Sequence, residues 1–205
     1  MLFRRSLLLT CMLGLAVVSA CTTTSDGDPL PANSSATRPS SDNGEELPFA
    51  GAPKVNDPLD TSRYEQDPCR SLTADQAKGL NLPSTGKIDN DVSLGIGCEW
   101  QNSTTRGYVE IVFIVDDPRG LSPEYENKKD FEFFDVLSDI EGYPAVARGN
   151  DDRDTGRCTV VVGVADDMAF ETILRLSPAN VGNIEPCEKA AEVAGLAVQT
   201  MKEGA

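Results

Sequence analysis

Thr159-Val160-Val161-Val162-Gly163-Val164 is a β-branched run, Asp166-Asp167 follows as a turn, and Ala169–Leu176 then sets Phe170, Thr172, Leu174 and Leu176 at every second position. A period of two puts those four side chains on one face of a strand. The β-branched run before the turn reads as its buried neighbour. Working outward, Tyr108 to Val115 is apolar and β-branched, broken only by Glu110, and reads as a central strand. Trp100, two residues after Cys98, marks an earlier strand, and Ala145–Arg148 follows the Gly142-Tyr143-Pro144 turn.

Helical signals stand at both ends of this set. Thr73-Ala74-Asp75-Gln76 has the form of a capping box opening a short helix that ends near Gly79. Pro186 opens a final helix whose apolar face, Ala190, Ala191, Ala194, Ala197 and Met201, keeps helical period. Ser122-Pro123-Glu124 looks like a further helix start, with Glu124 and Lys128 four apart. Phe131 to Val136 suits either the end of that helix or a strand. The sum is an α+β domain over 67–205: an antiparallel sheet of about five strands with terminal helices packed on one face.

Cysteines agree with an oxidising compartment. Cys69, Cys98, Cys158 and Cys187 remain once Cys11 and Cys21 are assigned to the N-terminal segment. An even number in an exported domain reads as two disulfides. The interval from Cys69 to Cys98 equals that from Cys158 to Cys187, which favours those two pairs. The nested pairing Cys69–Cys187 with Cys98–Cys158 is the rival, and either would contribute about 3 kcal/mol per bridge. A metal site is the competing use of these thiols. The chain has no Cys-x-x-Cys pair and no histidine.

The N-terminal segment sets the expected location. Arg4 and Arg5 precede an apolar run from Leu7 to Val18, closed by Val18-Ser19-Ala20-Cys21. Small residues before a cysteine read as a lipoprotein signal over 1–20, cut so that Cys21 carries a diacylglycerol. Residues 21–66, rich in Ser, Thr and Pro, then read as a flexible tether from the lipidated Cys21. Some 45 residues of such chain span on the order of 35–40 Å. Localisation on the outer face of the cell membrane follows.

Removing Arg4 and Arg5 with the signal takes the formal net charge from −15 to −17. That sign excludes a nucleic-acid footprint and electrostatic adhesion to anionic headgroups. The lipid is then the membrane contact, and solubility at a crowded surface accounts for the acidity.

Several pieces together resemble an uncharacterised family of actinobacterial lipoproteins. They are the lipobox at Cys21, Asp67-Pro68-Cys69 with Ser71-Leu72-Thr73, and Gly97-Cys98-Glu99-Trp100. Gly142-Tyr143-Pro144-Ala145-Val146, Cys158-Thr159-Val160 with Val164-Ala165-Asp166, and Pro186-Cys187 before a helix complete the set. The resemblance spans nearly the whole domain. It implies a compartment and an architecture, and no activity. The layout also looks like the disulfide-stapled extracellular sensor domains of some actinobacterial receptor kinases, a likeness of architecture alone.

Chemistry is sparse. Without histidine, Ser-His-Asp and Cys-His constellations are excluded. Acid pairs stand at Asp116-Asp117, at Asp151-Asp152 with Asp154, and at Asp166-Asp167. Adjacent acids on exposed turns lack the cleft that would separate their proton affinities into acid and base roles. Asn150-x-Asp152-x-Asp154 has part of a calcium-loop spacing, but Thr155 and Val161 stand where glycine and glutamate belong. Trp100, Phe131 and Phe134 are the candidate lining of a ligand groove, against the commoner use of aromatics as core.

These readings lead to a non-catalytic binding or interaction module needing no cofactor and no metal. Its expected partner is another envelope protein or a cell-wall component. The alternative is a small-molecule or lipid carrier with a cavity between sheet and helices, and a carboxylate-based hydrolase stands behind both.

Overall fold

A computed structural model describes residues 46–150 and 153–204. The signal over 1–20, Cys21, the tether from 22 to 45, Asp151 and Asp152 lie outside the described residues. Among the described residues seven strands form one antiparallel sheet. They are β1 (Lys87–Asp89), β2 (Gly95–Gln101), β3 (Tyr108–Ile114), β4 (Phe133–Val136), β5 (Ala145–Gly149), β6 (Arg157–Ala165) and β7 (Met168–Arg175). Their spatial order is β1-β2-β3-β7-β6-β5-β4.

The sheet is two meanders joined at the middle. β1–β2–β3 runs in from one edge, and β4–β5–β6–β7 from the other. They meet where β3 pairs with β7, with Phe113 opposite Phe170 and Glu110 opposite Ile173. The expected count of about five strands omitted the two edges. β1 has three residues, none of them buried, and β4 has four with none buried. Such short edges carry no alternating pattern for a sequence reading to detect. The Phe131–Val136 segment resolves as strand from Phe133 onward, where β5 supplies its hydrogen-bond partners.

One face of the sheet is sealed. α4 (Pro186–Gly204) lies along β6 and β7, and its Ala190, Val193, Ala194, Ala197, Val198 and Met201 are fully buried. Alanines let the helix sit close, so Val160, Val162 and Phe170 from the sheet fill the space between. Each fully buried Val or Phe contributes roughly 1.5–3 kcal/mol. α2 (Ala74–Gly79) adds to this layer with the expected capping box, and its Gln76 Nε2 donates to the Leu196 carbonyl at 3.2 Å. The α+β class with a helical layer on one face therefore holds.

The disulfides join Cys69 to Cys98 and Cys158 to Cys187, with Cα separations of 5.0 and 5.1 Å. The first ties a 3₁₀ turn at Pro68–Ser71 to β2, and the second ties the start of β6 to the first turn of α4. Each closes a 29-residue interval, for which loop entropy gives about 3.5 kcal/mol.

The boundary at Asp67 needs correction, because the ordered body starts earlier. Phe49 N–H donates to Ser122 Oγ at 3.0 Å, Val55 N–H to Asp166 Oδ1 at 2.8 Å and Leu59 N–H to the Val164 carbonyl at 2.9 Å. In α1 (Ser62–Gln66), the buried Tyr64 stacks on Phe113 at 6.4 Å and donates its hydroxyl to the Thr200 carbonyl at 3.0 Å. Residues 46–66 are thus packed. Their few apolar anchors are spaced among Pro, Asp and Ser, so average composition conceals them.

Gly86, just before β1, lies against the first disulfide. A methyl there would meet Cys98 Sγ and stand 2.6 Å from Trp100 Cε2, whereas one at Gly79 would meet nothing. We expect Gly86→Ala to lower the urea-unfolding free energy by about 1–3 kcal/mol. Gly79→Ala should be neutral or stabilising by a few tenths of a kcal/mol or more. Equal midpoints for the two variants would contradict this packing.

Candidate functional site

The other face of the sheet is covered over only part of its area. Leu121, the buried residue before α3 (Ser122–Glu126), packs with Ile114, Val146, Val161 and Ala169, with Ala52 at the margin. A bare Gly163 accommodates this cover, since a Cβ there would stand 2.8 Å from Leu121 Cγ. The covered half is apolar.

The neighbouring half is charged. Strand periodicity sends Tyr108 and Glu110 of β3, Glu171, Ile173 and Arg175 of β7, Arg157 and Thr159 of β6, and Arg148 of β5 to this face. The register sets Glu110, Ile173, Thr159 and Arg148 in one cross-strand row, and Tyr108, Arg175 and Arg157 in the next. A cleft of about 140 Å³ opens here, lined by Tyr108, Arg148, Arg157, Thr159, Ile173 and Arg175. A shallower depression adjoins it beside Gln101, Arg106, Pro178 and Val181.

Arg148 organises the inner wall. Its Nε donates to Glu124 Oε2 at 2.5 Å and its Nη2 donates to Glu171 Oε2 at 2.8 Å. The guanidinium lies 4.9 Å from the Phe131 ring centre, and Phe131 stacks on Phe134 at 6.5 Å. Burial pushes the Glu171 carboxyl above the usual carboxylate range, against the pull of Arg148, and the negative charges of Glu124 and Glu110 add to that rise. One cation thus faces two buried carboxylates. Such a pair is costly to break, because the partner left behind is a buried charge.

Glu110 makes the opposite wall with Tyr108, whose hydroxyl donates to Glu110 Oε2 at 2.8 Å. Glu110 Oε1 is buried with no hydrogen-bond partner among the described residues. Gly97 leaves room for it, since a Cβ at that position would stand 2.9 Å from Oε1. Burial is the first cause raising the Glu110 carboxyl, opposed by the Tyr108 hydrogen bond and assisted by Asp89 and Glu99. Burial and the Glu110 hydrogen bond hold the Tyr108 hydroxyl above the usual phenol range, so it remains a donor.

A family model described as a protein of unknown function, DUF3558, matches residues 16–200. The chain belongs to the DUF3558 family. Comparison with curated proteins and with solved structures gives no match. No helix among the described residues is long and apolar enough to cross a membrane.

Within this DUF3558 chain the expected aromatic groove is divided by the sheet. Trp100 is 1 % exposed in the sealed core, beside the first disulfide. Phe131 and Phe134 stand half-buried on the opposite face, where Tyr125 meets Phe134 edge-on at 5.3 Å. They do not share a cavity with Trp100. Period two explains this, because Cys98 and Trp100 point to one face together and carry the disulfide and the indole into the core.

The acid pairs are also dispersed. Asp117 accepts from Arg119 Nε at 2.5 Å, and Asp166 holds the Val55 amide. Asp154 sits in a 3₁₀ turn at Arg153–Thr155, and its neighbours Asp151 and Asp152 lie outside the described residues. Among the described residues, no three of these acids and cysteines come together as a metal-binding set. The residues that do converge, Tyr108, Glu110, Arg148, Arg157, Glu171 and Arg175, were visible singly as polar breaks in apolar strands. Glu110 is the break that interrupts the apolar Tyr108–Val115 run.

The raised Glu110 carboxyl gives a pH test with a definite sign. The folded chain holds this proton more tightly than the unfolded chain, whose glutamates titrate at about 4.3. That stabilisation is complete below this range and is lost as pH rises through the folded value. The stability of Glu110→Gln relative to wild type should therefore increase between about pH 4 and pH 8 in urea unfolding. Parallel profiles for the two proteins would contradict the assignment.

Proposed function

We propose that the protein is a non-catalytic binding module, held to the outer face of the cytoplasmic membrane by a lipid on Cys21. The observation that carries the reading is the half-open sheet face. A domain with a sealed core on one side keeps charged side chains around an unfilled cleft on the other. The lipobox, the acidic composition and the two disulfides support an exported, anchored setting. Residues from 21 to about 45 would act as the tether that brings this face into the envelope.

The carboxylates at the cleft favour binding over hydrolysis. Glu124 and Glu171 are engaged by Arg148, and Glu110 by Tyr108. The carrier alternative changes shape: the face of α4 is filled against the sheet, so a small molecule would use the open cleft instead of an interior cavity. An envelope protein or wall component would meet the same surface.

Expression of the full chain in a lipoprotein-processing bacterium tests the anchoring. Wild type should enter the detergent phase of a membrane extract, and Cys21→Ser the aqueous phase. Membrane retention of Cys21→Ser would overturn the lipid anchor. A native mass spectrum of the wild-type chain should also carry a reproducible mass beyond protein and lipid, or a partner should be captured by crosslinking through the cleft; neither appearing would overturn the binding role.

A further inference from the structure

We propose that the cleft is an oxyanion site, in which Arg157 and Arg175 hold a phosphate or carboxylate group of the ligand. This deepens the binding reading above and rests on it. The chain carries 33 acidic residues against 18 basic ones, so chance placement would give most arginines an acidic neighbour. Arg63, Arg70, Arg119, Arg148 and Arg153 have ion pairs or hydrogen bonds of their own. Arg157 and Arg175, which line the cleft, have no side-chain hydrogen bond or ion pair among the described residues, and Arg106 at the adjoining depression has none either.

Their placement makes this unusual. Arg157 and Arg175 are directly opposite on β6 and β7, at the end of the row that begins with Tyr108. Like charges facing across two strands are destabilising. A sequence with this excess of carboxylates had ample means to neutralise them. An anion bound in the cleft that both arginines line would offset their like charge, since planar guanidinium forks match the two oxygens of a carboxylate or phosphate.

The cleft already orients one of them. The Arg175 guanidinium lies 5.2 Å from the Tyr108 ring centre, a cation–π contact that restricts the side chain. The inner guanidinium, Arg148, is occupied by Glu124 and Glu171 and contributes field at the back of the site. Ile173 forms an apolar floor, and the depression beside Pro178 and Val181 accommodates the rest of a ligand. The ligand class is therefore an anionic head on a partly apolar body.

Titration of the full chain with inorganic phosphate, phenyl phosphate and benzoate at low ionic strength tests the assignment. Saturable binding of phenyl phosphate or benzoate is expected, weakened by added salt. Preference between these two distinguishes a phosphate ligand from a carboxylate one. Arg157→Gln and Arg175→Gln should each weaken binding about tenfold, and Arg175→Lys, which keeps charge and loses the fork, by less. Lys78→Gln on α2 should change nothing. Without ligand, Arg157→Gln should melt at or above the wild-type temperature, because a repulsion is removed. No saturable binding below about 10 mM for any probe, or affinity unchanged in the Arg157→Gln/Arg175→Gln double variant, would overturn the oxyanion site. Either result would leave the lipid anchor and a protein partner intact as separate questions.

Discussion

One guanidinium shared by two buried carboxylates is the constraint on which the open face depends. β7 runs through the middle of the sheet, where a strand is ordinarily covered on both sides. Glu171 nevertheless projects from it and is 8 % exposed. Unpaired, that charge would cost several kcal/mol or force the group to stay protonated. Arg148, two strands away, reaches across to it and at the same time fixes Glu124 of α3. The same ion therefore anchors the short helix that covers the apolar half of the face.

The two faces divide the work. The sealed face supplies cohesion through small residues on α4, aromatic residues at the β3–β7 junction and two covalent ties. Each tie joins a helical element to a strand, so the helical layer cannot separate from the sheet in either meander. That leaves the second face free of much of the burden of stability. A charged cleft can persist there because the energy that holds the fold lies elsewhere. The packed segment 46–66 works on both sides, with Tyr64 in the sealed core and Phe49 hydrogen-bonded to the start of α3.

Much of the fold was legible because its strong elements are locally consistent. β3, β6 and β7 are β-branched and apolar, α4 keeps helical period, and α2 has its capping box; local propensity and global packing agree in each. The edges β1 and β4 were illegible because short half-exposed strands are defined by the partner they pair with. The start of the ordered body was missed because Val55, Leu59 and Tyr64 act one at a time, through tertiary contacts. The cleft was the hardest to read. Its residues come from four strands and α3, and period two alone could suggest a polar face without saying which row meets which. Trp100 was misplaced for a related reason, since an aromatic residue in a strand carries no sign of which face is sealed.

The Arg148 network is measured most directly by a mutant cycle. Arg148→Met, the pair Glu124→Gln/Glu171→Gln, and the triple combination would be compared by urea unfolding near pH 7. The single Arg148→Met change should destabilise by about 3–5 kcal/mol, because it leaves two buried carboxylates unpaired. The triple variant should recover most of that loss. A cost below about 1 kcal/mol for Arg148→Met, of the size seen for exposed pairs, would contradict the claim that this ion pair holds the face together.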